Sequence, residues 1–146
     1  MLDFALGEKQ YRIRDIEAEE GSFLAFKLTN KLREIMSNEK DETPQAEVRK
    51  VEKEAAVRGT ISLILMNLDE DTYKLVQKKA LALVDEVTVV GEKEAYLPIL
   101  RNGKLIVPEL KGNIEQVIEL TFESLYYNLS PFFSENGLKL LMTGKG

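Results

Sequence analysis

The chain contains no cysteine and no histidine. Without cysteine it has neither a disulfide framework nor a thiolate nucleophile. Without histidine it has no imidazole acid or base, and most zinc sites are excluded too. Such a chain suits a reducing cytoplasm. No apolar run reaches the roughly 18 residues of a membrane span, so no membrane partner is expected. The opening MLDFALGEKQ carries an early acid and no long apolar core, unlike a signal peptide. Glycine-rich phosphate loops are missing as well. Gly144-Lys145 lacks the earlier glycine, the following Ser or Thr and the following helix of a P-loop. There is no internal repeat and no low-complexity tract.

A length of 146 residues is that of one domain, expected to span residues 1–146 and large enough to bury a core. The 44% hydrophobic and 31% charged fractions are those of a soluble globule. The net charge of −5 argues against nonspecific binding to nucleic acid or an anionic membrane, but not against a basic protein partner. Lys31, Lys50, Lys53, Lys78 and Lys79 are scattered among acids, so no nucleic-acid partner is expected.

Residues 1–16 read as a hairpin. Leu2, Phe4 and Leu6 alternate, Gly7-Glu8 turns, and Tyr11 and Ile13 alternate again. Glycine at the first turn position suits a type II′ loop. A helix is predicted over Glu17–Met36, with Leu24, Leu28, Leu32 and Ile35 on its inner face. Residues 37–50 are polar, acidic and interrupted by Pro44, and are expected to form a mobile loop. Helical period returns over Val51–Leu68, whose Ile61–Leu68 half is apolar nearly all round and is expected to be the most buried helix. Asp69 is placed to cap the next helix, with Tyr73, Val76, Ala80, Leu83 and Val87 inward. Val87–Val90 reads as a short strand or the frayed end of that helix. Residues 96–107 form a second hairpin around Asn102-Gly103, the preferred type I′ pair. Asn113 caps a last helix, with Gln116 placed as in a capping box. Ile114, Val117, Ile118, Phe122, Leu125 and Leu129 form its apolar face, and Pro131 ends it. The expected fold is α+β and mainly α-helical. It has a core of about four helices, with small β-hairpins near the N-terminus and at residues 96–107. Residues 134–146 are expected to be a flexible tail, although Leu138, Leu140, Leu141 and Met142 are apolar.

Catalytic constellations do not assemble. Ser22, Ser62, Ser124 and Ser130 have no histidine to activate them. Asp69-Glu70-Asp71 lacks the spacing of a calcium loop and reads as a helix cap. Glu115, Glu119 and Glu123 fall on a solvated helix face. No enzyme, cofactor or metal is therefore expected. Tyr126, Tyr127, Phe132 and Phe133 crowd into a short stretch. They either plug the end of the core or form an interaction patch, since Tyr and Phe anchor interfaces. On the second reading Phe122, Leu125, Tyr126, Leu129, Pro131, Phe132 and Phe133 are the candidate partner-binding residues.

Three features together resemble the tail assembly chaperones of long-tailed bacteriophages and prophages. The first is Tyr11-Arg12-Ile13-Arg14-Asp15-Ile16 running through Ala18 and Gly21 into the Leu24/Leu28 helix. The second is a central helical body of this size. The third is the ending Asn128-Leu129-Ser130-Pro131-Phe132-Phe133, similar to an NLxPFF-type finish. The resemblance implies a protein of the infected cell's cytoplasm that is absent from the finished particle. It implies coating of the tape-measure protein, which keeps that protein soluble, recruitment of tail-tube protein, and self-association. It also implies a longer form made by ribosomal frameshifting, for which Thr143-Gly144-Lys145-Gly146 is a suitable end. The alternative is a permanent structural component of a phage tail, head or connector.

Overall fold

The computed structural model describes residues 1–38 and 53–133. The expected mobile loop falls outside this range from residue 39 onward, and the C-terminal tail at 134–146 falls outside it entirely. The fold is α+β and mainly helical. The chain divides into two compact units, one of residues 1–16 and 74–127, the other of 17–73 and 128–146.

The first unit is built on a four-stranded antiparallel sheet of order β1-β2-β3-β4. β1 (Leu2–Leu6) and β2 (Lys9–Ile13) form the first hairpin. Gly7 has φ +65 and Glu8 is not left-handed, so the turn has the type II′ pattern. β3 (Val84–Val90) and β4 (Lys93–Pro98) form the second hairpin. The two join through β2 and β3, with Tyr11 opposite Glu86 and Ile13 opposite Val84. This pairing supplies what an isolated two-stranded hairpin lacks. It also shows that residues 84–90 are strand throughout, so Val87 is not on a helix. Their Val-rich, β-branched composition, paired on both sides, overrides the helical spacing of Ala80, Leu83 and Val87.

The Asn-Gly turn is where the sequence puts it, but its hairpin is shorter. Asn102 at φ 54 and Gly103 at φ 77 give the two left-handed residues of a type I′ turn. Only β5 (Leu100–Arg101) and β6 (Lys104–Leu105) flank it. Tyr96 and Leu97 pair with β3 instead. Ile99 sits between the two sheets and is fully buried; its N–H donates to the Val84 carbonyl and its carbonyl accepts from Ile106.

The sheet's inner face presents Tyr11, Ile13 and Val84 to a core shared with Leu81, Ile99, Val107, Leu110 and Leu120. The rings of Phe4 and Tyr11 lie 5.9 Å apart, adding an aromatic contact to the burial. Glu86 comes from the same face and is nearly buried. Lys9 Nζ answers it at 2.7 Å, and that bond raises the lysine's pKa. The other face carries a polar cluster: Arg12 donates to both Asp3 oxygens at 2.6 and 3.2 Å and lies 4.0 Å over the Tyr96 ring. In the first hairpin Leu2, Phe4, Tyr11 and Ile13 face the core and Asp3, Gln10 and Arg12 face away, the alternation expected of strands with one covered face.

In the second unit, α1 (Ala18–Asn38) buries Leu24, Ala25, Leu28, Thr29 and Leu32. Ser37 and Asn38, expected in the loop, are its last residues. Gly21 lies inside its first turns and is buried. α2 (Lys53–Met66) packs against α1. It buries Ile61 and Ile64, while Leu63 is 41% and Met66 81% exposed. The expectation that the Ile61–Leu68 half is the most buried helix is therefore corrected: two of its large apolar side chains stand exposed. α3 (Glu70–Leu81) starts in this unit and continues into the first. Asp69 caps it, accepting from the Thr72 N–H at 3.1 Å and the Thr72 hydroxyl at 2.7 Å.

Candidate functional site

α5 (Ile114–Leu129) follows a short helix, α4 (Pro108–Lys111), that Pro108 opens. The Asn113 side-chain oxygen accepts from the Gln116 N–H at 3.1 Å, the cap expected from sequence. The reciprocal half of a capping box is not made, because the Asn113 N–H donates to the Leu110 carbonyl at 3.1 Å. The helix stops at Leu129, and Ser130–Phe133 form a tight 3-10 turn. Pro131 accounts for that stop, because its pyrrolidine ring removes an N–H from the helical ladder and crowds the preceding turn.

The face that α5 buries is rotated from the one its apolar residues mark. Leu120, Thr121 and Ser124 are buried, whereas Ile114 is 77% and Ile118 52% exposed. Two hydroxyls permit this. Thr121 donates to the Val117 carbonyl at 2.8 Å and accepts from Gln77 at 3.3 Å. Ser124 donates to the Ala80 carbonyl at 2.7 Å. A buried polar group with its bonds made costs little, so a Thr-Ser stripe can face inward and leave isoleucines outside. The same bond commits the Ser124 hydroxyl to a structural task.

The candidate partner-binding residues fall into different environments. Within the first unit Leu125 is buried, while Phe122 and Tyr126 are half-buried and stack at 6.2 Å between ring centroids. Tyr127, their neighbour, instead donates to Asp15 at 2.6 Å. That bond lowers the Asp15 pKa and raises that of Tyr127. Within the second unit Leu129 and Phe133 are buried, Phe132 is half-buried and Pro131 is exposed. The reading as a core plug thus applies to only part of the aromatic cluster. Phe133 plugs the interior, while Phe122, Tyr126, Pro131 and Phe132 keep surface that a partner can reach.

The chain matches, over residues 7–139, the family described as phage tail assembly chaperone protein, TAC. It is a member of that family. No curated protein and no solved structure matches the chain. Among the described residues of this tail assembly chaperone no helix is long and apolar enough to cross a membrane.

Two features escaped the sequence reading. One is a set of apolar pairs left outside on the chaperone's helices. Phe23 and Phe26 on α1 are 52% and 60% exposed, and Leu63 with Met66 and Ile114 with Ile118 repeat the arrangement on α2 and α5. The other is a cleft of about 400 Å³ inside the first unit. Leu81, Leu100, Leu105 and Val117 line it, with Lys74, Lys78 and Lys104 around them. Lys74 and Lys78 are one turn apart and visible as a pair in sequence. Lys104 joins them only through the fold.

Proposed function

We propose that this chaperone binds the tape-measure protein, holds it soluble while the tail assembles, and helps recruit tail-tube protein. It acts by binding rather than catalysis, self-associates, works in the host cytoplasm and is left out of the finished particle. The observation that carries the reading is the repeated exposure of two large apolar side chains one turn apart, on α1, α2 and α5. Scattered exposed hydrophobics are ordinary. Pairs at helical spacing are the anchors by which one amphipathic helix meets another. A tape-measure protein is long and helical, so it offers such faces in number. The Phe122–Tyr126 stack and, separately, Pro131 with Phe132 are proposed as further contact points.

The test is co-expression with the tape-measure protein, followed by size exclusion with light scattering on the soluble fraction. Co-elution is expected, with the tape-measure protein insoluble when made alone. Phe132→Ala and Phe26→Ala should each weaken co-elution with helical content unchanged. Phe133 is kept intact, because its buried ring would leave a cavity costing about 3–5 kcal/mol. Equal solubility of the tape-measure protein with and without this chain would reject the reading. Recovery of this chain from purified virions would mark it as a permanent tail part.

A further inference from the structure

The N-terminal half of α5 and the lysine-rimmed cleft border one another in the first unit. At 3.6 residues per turn, Val117, then Ile114 and Ile118, then Glu115 and Glu119 follow one another round the helix. Val117 is a wall of the cleft, the two isoleucines are exposed beside it, and both glutamates are exposed beyond them. Lys78 of α3 and Lys104 of β6, both exposed, rim the cleft. Crossing this surface one meets a cationic row, an apolar ridge and an anionic row.

That order is self-complementary. A half-turn about an axis that lies in the contact plane and runs along the ridge brings two such surfaces face to face, with cations on anions and isoleucines on isoleucines. A two-fold contact between identical subunits requires such a patch. We propose that two copies of this chain pair here, with their α5 helices side by side and parallel. Ile114 and Ile118 of each copy meet those of the other, and Glu115 and Glu119 of each face Lys78 and Lys104 of the other. Charge favours a second copy over an unrelated partner. The cationic rim lies one apolar ridge away from its own acidic counterpart, so one patch carries both of the charges that a second copy would answer. The proposal deepens the self-association part of the function above and rests on it.

Two variants of the full chain test it. Lys78→Glu with Lys104→Glu reverses the cationic row, and Glu115→Lys with Glu119→Lys reverses the anionic one. All four side chains are exposed, and circular dichroism checks that each variant folds. Sedimentation equilibrium on either variant alone should show self-association weakened about tenfold or more, since every cross-contact becomes repulsive. An equimolar mixture should regain the wild-type mass, because both contacts of the mixed pair then oppose unlike charges. Raised salt should weaken the wild-type pair. Wild-type behaviour of both variants, a mixture no better than its parts, or growth into an open-ended series would each overturn the two-fold contact. Association of the wild type that ignores these changes would overturn this interface and leave self-association standing. A wild-type chain monomeric at every concentration would overturn both, with tape-measure binding still decided by its own co-expression test.

Discussion

Tyr11 shows how a single residue can be central and imperfect together. Its ring is fully buried in the first unit's core, yet its hydroxyl meets no hydrogen-bond partner. An unmet buried hydroxyl loses its water bonds and gains nothing in return. Tyr11→Phe is therefore expected to leave stability unchanged or raise it by about 1 kcal/mol, read as a shift of the urea midpoint at constant slope. Burial also pushes the Tyr11 pKa up. In alkali the unfolded chain gives up this proton first, so the native state binds more protons and stability falls as pH rises. The fall starts near the unfolded value of about 10 and continues to the raised native one. Tyr11→Phe should shallow that limb without abolishing it, because Tyr73 is raised by burial as well.

At the scale of elements, the ends of helices and the turns between strands were the legible parts. The cap on α5 tests this. Asn113→Ala removes the acceptor for the Gln116 N–H and should cost about 1 kcal/mol, whereas Asn113→Asp should keep most of it. Thermal unfolding of the two variants side by side is the measurement. The turns read equally well, since Gly7 and the Asn102-Gly103 pair adopt the left-handed backbone their positions require. Strand extent read less well. Tyr96–Pro98 look like part of one arm of the Asn-Gly hairpin, but they pair with residues 85–87. Helix faces read least well. Period alone places Ile114 and Ile118 on the inner face of α5 with Leu125 and Leu129, and the bonds made by Thr121 and Ser124 show how the buried face can be rotated away from the two isoleucines.

Across the whole chain, the acid limb of stability should come from a few aspartates in distinct contacts. Arg12 lowers the Asp3 pKa, the Tyr127 hydroxyl lowers that of Asp15, and the Thr72 hydroxyl and N–H lower that of Asp69. In each case the folded carboxyl holds its proton less tightly than the unfolded one. Their contribution is present above an unfolded value of about 3.9 and is lost as pH falls through the lowered native values. With no histidine to titrate, stability should be nearly flat between about pH 5 and 8. A pH series of urea midpoints checks both statements, and a step near pH 6.5 would contradict them.

What the sequence determined by itself was local or cumulative. Turn residues, caps and helix stops act over a few positions, so Gly7, Asn102-Gly103, Asn113 and Pro131 announce their roles without the rest of the chain. Composition rules out thiol and imidazole chemistry in the same way, and short segments spread along the chain carry the family resemblance. Tertiary structure decided whatever depends on residues far apart in sequence. It paired Tyr11 with Glu86 and made one four-stranded sheet of two hairpins. It set Lys104 beside Lys78, and it buried Ser124 while leaving Ile118 outside. Burial and charge grouping are properties of surfaces that meet, and a helical period gives the shape of one such surface without identifying the other.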